Sequence, residues 1–574
     1  MQRGGATVDD LIERALDAEA RGEHLVAEEL YRRAVEADPL DIRARQLLGV
    51  SLTMRGEGEE AIALLETAAA LIGPLTKHTW AVYNNLANAR RVAGQLAEAE
   101  RDYVELARVV PDEWHVWHNY GMTLKDLDRM HEAVAHFRRA TSMAPDYAPN
   151  HAMLGYALHS LGRLHAAEAA LLRAVALGSE RDVNVWTLLG NNYRYLGRVR
   201  EAHDALERAL ALSNGAAEAC NNMAILLSQQ GRFDEALAYY DQAIAAEPDR
   251  ELWHSNRGFS RLAAGDLEAG WPGWEYGLRP GGPRGALRPL GVPRWTPSDA
   301  DARVICYREQ GVGDEILFAS CLPDLAAAAR SVVYECDSRL VSLFARSFPQ
   351  IEIREQTYNP MLGETMDDFD RMIPIGSLPM FFRTTIASFP ADRRGYLVAD
   401  PDRVGRWHER LAALGAGPRV AISWRSKIKT AERRLEYTRL TDDWGPIFEV
   451  PGVVWVSVQY DDCSRDLEDA MQKFGVTIHS SDDVDYLDDF EEVAAIIAAC
   501  DLVVAPRNAV AMLSGALGVP TVMMGNRWDW SDLGTDTSPW FPSVQLVYRH
   551  LDEEWDGVIA AAAARVRSLV QEGP

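Results

Sequence analysis

The sequence predicts a solenoid of paired α-helices in its first half and two open α/β domains in its second half. Three observations predict this. Small residues recur about every 34 residues up to residue 265, residues 278–300 are rich in proline and glycine, and buried-strand patterns alternate with helical patterns after Arg303. A fixed period of a few tens of residues is typical of stacked repeats, whereas alternating strands and helices are typical of parallel sheets.

The composition is that of a globular protein with several cores. Of 574 residues, 47% are hydrophobic and 25% are charged. The formal net charge is −26, and a field of that sign repels nucleic acids and anionic membranes, so we expect neither as a partner. Six cysteines without a CxxC pair argue against a disulfide framework and a thiolate zinc site. The sequence shows no secretory signal and no apolar run of about 20 residues, so we expect a cytoplasmic protein.

Three columns of residues define the repeat. Glycine stands at the predicted turn between the two helices of a unit, and Asp128 takes its place in one degenerate unit. An alanine column lets the helices approach closely, and a bulky column fills the gap to the next unit. The columns are Gly22, Gly56, Gly94, Gly162, Gly197, Gly231 and Gly265; Ala27, Ala61, Ala99, Ala133, Ala167, Ala202 and Ala236; and Tyr31, Leu65, Tyr103, Phe137, Leu171, Leu206, Tyr240 and Trp274.

The period, the columns and the prolines that close several units resemble the tetratricopeptide repeat. The resemblance implies about eight units over roughly residues 7–279, and we take 1–279 as one domain. The segment with Trp271 and Trp274 still fits the repeat register, so we interpret it as a capping unit that packs on the second half of the chain. Residues 280–300 are then a connector, because so many prolines and glycines leave no regular element.

Asparagine recurs at one position of the first helix, two residues before its small residue. An amide offers one acceptor and two donors, which suits the main chain of an extended peptide. The pattern resembles the asparagine ladder of eukaryotic O-linked N-acetylglucosamine transferases. The alternative is that these side chains cap or bridge neighbouring helices. The candidate acceptor-binding residues are Asn85, Asn119, Asn222 and Asn256.

No residues offer a convincing metal site. His115, His118, His131 and His136 lie close together in sequence, but no carboxylate is spaced to complete a ligand set. The acidic run 480–492 matches no calcium loop and is better explained as an acid-rich helix start. We therefore predict no metal.

The second half predicts two α/β domains, 301–400 and 401–574. Strand, glycine turn, helix and strand follow one another from Arg303, and a second set begins at Arg419. The predicted strands are 304–307, 331–336, 420–424, 453–459, 501–505 and 520–524. The predicted helices are 316–330, 338–347, 491–500, 508–517 and about 553–571, the last of which could cross back onto the first α/β domain.

Three loops follow strands and carry groups suited to an anion. Ligands of open parallel sheets bind at the carboxyl ends of the strands. Glycines let a ligand approach backbone N–H groups at a helix start, and arginine or lysine supplies charge. The loops are 310–314, 423–429 and 506–510. The glycine loop alone could also be a structural turn.

The glycine loop, the Ser-Trp-Arg strand end and the ALGVPTVMMG, SPWFPSVQLVYR and WDGVI segments resemble a GT-B glycosyltransferase. The resemblance is strongest to the heptosyltransferase-like domain fused behind tetratricopeptide repeats in bacteria. The implied fold is an all-α tetratricopeptide-repeat solenoid followed by a GT-B pair of Rossmann-like α/β domains. Residues 301–400 would then be the acceptor side, and 401–574 the nucleotide-sugar side with a closing C-terminal helix.

The resemblance also implies roles for individual residues. Asp314 corresponds to the proposed base of heptosyltransferases, with Glu315 as the next candidate, and Arg425 or Lys427 corresponds to the residue that contacts donor phosphate. The candidate nucleotide-sugar-binding residues are Gly311, Gly313, Trp424, Arg425, Lys427, Lys429, Gln459, Arg507, Asn508 and Ala509. The donor is a substrate, and GT-B enzymes generally need no metal, so no cofactor is expected.

The implied function is transfer of a sugar to serine or threonine of a protein held by the repeats. Bacterial flagellin glycosyltransferases have this organisation, which makes flagellin a candidate acceptor and a nonulosonic acid a candidate sugar. The family reads D-T-A-x-A-H where this chain has Arg507 to Met512, so a carboxylate and a histidine are missing. Two alternatives therefore stay open: a non-catalytic adaptor with a decayed transferase domain, and a glycan-assembly enzyme.

Overall fold

The computed structural model describes residues 7–213, 215–280, 282–356, 368–391, 395–426 and 437–572. The chain divides into two compact units, one up to Asn192 and one from Tyr193 onward. The division falls inside a repeat helix, Val183–Tyr195. The last repeats therefore belong to the same compact unit as the α/β sheets.

Sixteen helices, α1 to α16, form eight pairs in the described part of residues 8–275. This confirms a helical solenoid of about the predicted length. The helices are Val8–Ala20, His24–Ala37, Ile42–Met54, Gly58–Ile72, Trp80–Val92, Leu96–Val109, Trp114–Asp126, Met130–Met143, Ala148–Ser160, Leu164–Ala174, Val183–Tyr195, Val199–Ser213, Ala217–Gln229, Phe233–Ala246, Glu251–Ala263 and Leu267–Glu275. A π-helical turn, Val175–Ser179, follows α10.

The predicted columns explain the repeat packing. Every glycine of the turn column has φ between +66° and +85°, and Asp128 adopts the same conformation at φ +60°. All seven column alanines are fully buried. A Cβ on Gly121 would lie 2.7 Å from Phe137, so the small residue of the first helix makes room for the bulky residue of the second. The bulky column is buried throughout.

A fourth column, absent from the predicted ones, joins four of the turns between units to the next helix. The fourth residue of a first helix reaches a main-chain carbonyl six residues earlier: Trp117 Nε1 donates to Pro111 at 2.9 Å, and Trp186 Nε1 donates to Glu180 at 3.0 Å. His151 and His254 place Nε2 2.9 Å from the equivalent carbonyls. These two histidines therefore have a structural role in the turns.

The connector has no helix and no strand among its described residues, but it is packed. Trp295 is 1% exposed, and its backbone N–H donates to the Met372 carbonyl at 2.8 Å. The fully buried Arg284 side chain lies 3.0 Å from Glu275 and 2.5 Å from Glu309. A buried charge needs such partners, so the connector joins the last repeat to the first sheet.

In the described residues of the first α/β part, a parallel four-stranded sheet has the order β3-β2-β1-β4. The strands are β1 Arg303–Tyr307, β2 Ser331–Cys336, β3 Glu352–Glu355 and β4 Arg371–Pro374. The main helices are Val312–Ala319, Leu322–Ala328, Val341–Ser347 and Pro379–Phe382. The single helix predicted over 316–330 is wrong: it breaks near Ser320, because Pro323 lacks an N–H and restricts the residue before it.

The second α/β part is a parallel six-stranded sheet in the order β10-β9-β8-β5-β6-β7. The strands are β5 Arg419–Ile422, β6 Val454–Ser457, β7 Ile478–His479, β8 Leu502–Pro506, β9 Thr521–Asn526 and β10 Val544–Arg549. Its described residues form the helices Pro401–Ala412, Leu440–Asp443, Gly445–Phe448, Ser464–Phe474, Phe490–Ala498, Ala509–Leu517 and Asp556–Glu572.

The last helix packs on the second sheet. Val558 and Ala562 share a buried cluster with Val420 of β5 and Val504 of β8, so the expectation that this helix crosses back onto the first α/β part is wrong. The capping prediction is confirmed: Trp271 and Trp274 are 1% exposed and belong to the core of the α/β part.

Candidate functional site

A cavity of about 750 Å³ lies where the carboxyl ends of strands from both sheets face the last repeats. The loops after β1, β8 and β9 form two of its walls, and helices α13 and α15 form a third. Its volume lies in the range of small-molecule sites. Four arginines, Arg194, Arg308, Arg339 and Arg507, line it together with Asp314 and Asp529. The arginines favour an anionic ligand.

The glycine loop forms the first wall. Gly311, Gly313 and Asp314 all line the cavity, as the sequence predicted for this loop. Gly311 is the N-cap of the helix Val312–Ala319 and has no side chain to bond the first N–H groups. A Cβ on Gly313 would lie 3.6 Å from Ala509, so this loop comes close to the helix start of the second sheet. Asp314 is half-buried.

Glu315 faces away from the cavity into the first α/β core. It is 1% exposed, and its Oε1 accepts from the Tyr334 hydroxyl at 2.9 Å and from the Asp337 N–H at 3.0 Å. Arg308 Nε lies 3.2 Å from its Oε2. Burial raises the pKa of Glu315 to about 7, against the opposing effect of Arg308. A pKa near 7 would suit a general base. The buried Glu315 side chain, however, binds Arg308 and does not line the cavity.

The loop after β8 forms the second wall through Arg507, Asn508 and Ala509. Asn508 is the N-cap of the helix Ala509–Leu517, and its Oδ1 accepts from the N–H groups of Val510 and Ala511 at 3.1 Å each. Its Nδ2 donates to Ser423 Oγ at 3.0 Å. Asn508 therefore fixes the helix start and ties it to the end of β5.

Arg507 is buried with a carboxylate partner. Its Nη1 lies 2.9 Å and its Nη2 3.1 Å from the two oxygens of Asp532, and Ser531 Oγ accepts from Nη1 at 2.7 Å. Burial raises the pKa of the Asp532 carboxyl, against the effect of Arg507. Such a fork holds the guanidinium plane in one orientation.

In the predicted cationic loop after β5, most of the described residues bond to protein groups outside the loop. Arg425 Nε donates to Asp461 at 2.9 Å, and its Nη1 donates to Asp466. Gln459 Oε1 accepts from Ser423 Oγ and the Trp424 N–H at 2.9 and 3.0 Å. Trp424 is 1% exposed. Of the described part of this loop, only Ser426 lines the cavity, and Lys427 and Lys429 lie outside the described residues.

The asparagines of the repeats bond to one another. Asn119 Nδ2 donates to Asn84 at 3.1 Å, and Asn256 Nδ2 donates to Asn221 at 2.9 Å, each across one repeat. These contacts match the bridging alternative. Asn256 also lines the cavity. Asn85 is half-buried and Asn222 is 8% exposed.

The predicted site lacked Arg308, Arg339 and the aromatic residues of the cavity wall, Tyr460, Trp528 and Trp530. Arg308 directly follows β1, Tyr460 follows β6 and Trp528 follows β9. Applying the rule that ligands bind after parallel strands to every strand would have found all three.

Within the described residues, His203, Asp204 and Glu207 are the one group of three whose possible metal-ligand atoms lie within 4.8 Å of one another. Both acids are exposed. His118, considered in the sequence as a possible ligand, places Nδ1 2.8 Å from Asn150 Oδ1. No helix among the described residues is long and apolar enough to cross a bilayer.

Comparisons with known proteins agree with the repeat architecture. Tetratricopeptide repeat families match residues 12–73, 115–147, 148–177 and 194–256. Protein FlbA of Caulobacter vibrioides is 30% identical over 404 residues, which cover 62% of this chain and 67% of FlbA.

Solved structures give weaker similarities. A chain of the APC/C hetero-tetramer Cut9–Hcn1 has a TM-score of 0.40 and 16% identity, covering 47% of this chain and 52% of that one. A tetratricopeptide repeat protein from Parabacteroides merdae has a TM-score of 0.35 and 18% identity, over 45% and 99% of the two chains. This chain thus spans about half of the Cut9–Hcn1 chain that it matches.

Proposed function

We propose that this chain, which belongs to the same family as protein FlbA and carries tetratricopeptide repeats, is a protein O-glycosyltransferase. It would transfer a sugar from a nucleotide-sugar donor to serine or threonine of a protein held by the repeats. The GT-B resemblance of residues 301–574 and two parallel sheets support this function. Flagellin is the first candidate acceptor, and a nonulosonic acid is the first candidate sugar.

One observation carries the proposal. The cavity has walls from two parallel sheets and a third from the repeat helices. A transferase that modifies a protein needs its acceptor and its donor to meet in one place. Here Asn256 of the repeats and Asp314 of the glycine loop line the same space.

In the proposed reaction Asp314 accepts the proton of the acceptor hydroxyl. The hydroxyl oxygen bonds to the anomeric carbon as the bond from that carbon to the phosphate oxygen breaks, and the nucleotide leaves with the electron pair. Arginines of the cavity stabilise the negative charge that develops on the leaving phosphate. The candidates for that role are Arg194, Arg308, Arg339 and Arg507, because all four line the cavity whereas Arg425 is not among its lining residues.

A second candidate function is a non-catalytic adaptor. The cations expected at the phosphate already have carboxylate partners, Asp532 for Arg507 and Asp461 for Arg425. A glycan-assembly enzyme would share the chemistry of the first proposal and differ only in its acceptor.

A titration distinguishes the transferase from the adaptor. Isothermal titration calorimetry with CMP, UDP, GDP and ADP should give binding of at least one nucleotide to the full chain. Gly313→Ala should weaken that binding about tenfold, or about 1.4 kcal/mol, because a methyl group would project into the gap beside Ala509, where the proposed ligand would approach the backbone.

Gly405→Ala is the matched control, because Gly405 lies in the helix Pro401–Ala412 with open space around its Cβ position. Its affinity should equal that of wild type. Failure of all four nucleotides to bind would favour the adaptor.

A further inference from the structure

Three turns of the last repeats touch loops of the second α/β part. The turns are those of Gly197, Gly231 and Gly265, which follow one another at 34 residues. A Cβ on Gly197 would lie 3.2 Å from the Leu551 carbonyl oxygen, and one on Gly265 would lie 3.3 Å from that of Leu533. In these turns glycine therefore provides both the left-handed turn and the close approach.

The tightest of these contacts is between Gly231 and Trp528. A Cβ on Gly231 would lie 2.6 Å from Cε2 of the Trp528 indole. Phe233, at the start of α14, packs edge-on against the same indole with ring centroids 5.3 Å apart. The Arg527 guanidinium lies 4.2 Å from the centroid of the Trp528 ring. Trp528 is thus held in place by the repeats.

The segment that carries Trp528, Asn526–Gly534, is here called the docking loop. Two of its non-glycine residues have left-handed backbones, Trp528 at φ +69° and Leu533 at φ +51°. Non-glycine residues adopt this conformation at a cost that the surrounding contacts must offset. Gly265 packs against Leu533 and Gly534, so both left-handed positions lie where the repeats press on the loop.

The docking loop in turn holds Arg507. Asp532 binds the guanidinium through both oxygens, Ser531 Oγ accepts at 2.7 Å, and Asp529 lies 3.5 Å away. All three partners lie between the two left-handed residues. Trp540 Nε1 donates to the Ser531 carbonyl at 2.9 Å and fixes the middle of the loop.

We propose that the docking loop makes the last repeats part of the anion site, with Trp528 and Asp532 as positioning residues that act through Arg507. The repeats hold the loop, the loop orients the guanidinium, and Arg507 lines the cavity. The inference rests on the proposed function only in taking the anion to be the donor phosphate.

The test measures how fast phenylglyoxal modifies Arg507 in the full chain, by mass spectrometry of the Arg507 peptide. In Gly231→Ala the added methyl group clashes with the Trp528 indole, so the docking loop must move away from the turn. It should raise the modification rate of Arg507 about fivefold or more, because a loosened loop opens locally more often. Arg383, also buried at 2% exposure but held by Asp324, is the internal reference and should keep its rate.

Gly94→Ala is the matched control, because Gly94 occupies the same turn position at φ +80° with nothing within 4 Å of its Cβ position. It introduces the same backbone strain and should leave Arg507 at the wild-type rate. If Gly231→Ala does not fold, Trp528→Ala replaces it and should release Arg507, whereas Trp528→Phe keeps a ring against Phe233 and should restore the slow rate.

Equal rises at Arg507 and Arg383 would show general loosening and overturn the inference, as would an unchanged Arg507 rate. This readout needs no nucleotide. If the wild-type chain binds no nucleotide, the proposed function is therefore wrong. The Arg507 modification rates still decide whether the docking-loop inference holds.

Discussion

Replacing Glu315 with glutamine should change how the stability of the protein depends on pH. The Glu315 carboxyl is 1% exposed, and burial raises its pKa from 4.5 to about 7 in the folded state. The difference of about 2.5 pH units corresponds to about 3 kcal/mol at 1.36 kcal/mol per unit. Glutamine has nearly the same shape and does not titrate in this range.

The direction in which the free energy of unfolding changes with pH depends on whether the folded or the unfolded chain binds the proton more tightly. Between pH 4.5 and about 7 the folded chain keeps a proton on Glu315 that the unfolded chain has lost. The stabilisation from this group is therefore complete below pH 4.5 and is lost as the pH rises through about 7. The wild-type free energy of unfolding should fall by about 3 kcal/mol relative to Glu315→Gln across this window.

The assay is urea denaturation of the full chain from pH 4.5 to pH 8, followed by tryptophan fluorescence, for wild type and Glu315→Gln. Glu352→Gln serves as the control, because its side chain is 66% exposed and its curve should run parallel to wild type. A constant difference between wild type and Glu315→Gln over the whole range would refute the assignment of a raised pKa to this buried carboxyl.

Three further predictions concern the site and the repeats. Asp314→Asn should lower sugar transfer by about 10²–10⁴-fold while nucleotide affinity stays near wild type, and more than about a tenth of wild-type turnover would exclude it as the base. Arg425→Ala should weaken nucleotide binding in calorimetry less than about tenfold, because Asp461 holds its guanidinium; a loss of about 1.5–3 kcal/mol would show direct phosphate contact. A fragment of residues 1–279 should be helical by circular dichroism but should associate in sedimentation analysis unless Trp271 and Trp274 are masked, since both are buried against the α/β part; a monodisperse unmasked fragment would contradict this.

The repeats could be predicted from sequence because each unit contacts mainly its neighbours, so packing leaves a period in the chain. Asp128, which replaces glycine in a left-handed turn, could be recognised for the same reason. The hydrogen bond from Asn119 to Asn84 joins residues 35 apart, which is about one repeat. It could therefore have been predicted from the sequence.

The site was harder to predict from the sequence than the repeats, because its arginines form ion pairs with carboxylates that are distant in sequence. Arg425 meets Asp466, which lies 41 residues away, and Arg507 meets Asp532, which lies 25 residues away. Loop position alone predicted that these arginines were available to a phosphate. The predicted strands lack β3, β4, β7 and β10. The four-residue strand β3, Glu352–Glu355, was missed because its charged residues carry no buried-strand pattern.

The most direct test of the proposed transferase is the intact mass of its acceptor. Flagellin, and then other secreted or surface proteins, would be isolated from cells with the gene, without it, and with Asp314→Asn in its place. We expect an added mass of one or more sugar residues that requires the gene and is lost or strongly reduced in the Asp314→Asn strain. Identical acceptor masses in all three strains would contradict it.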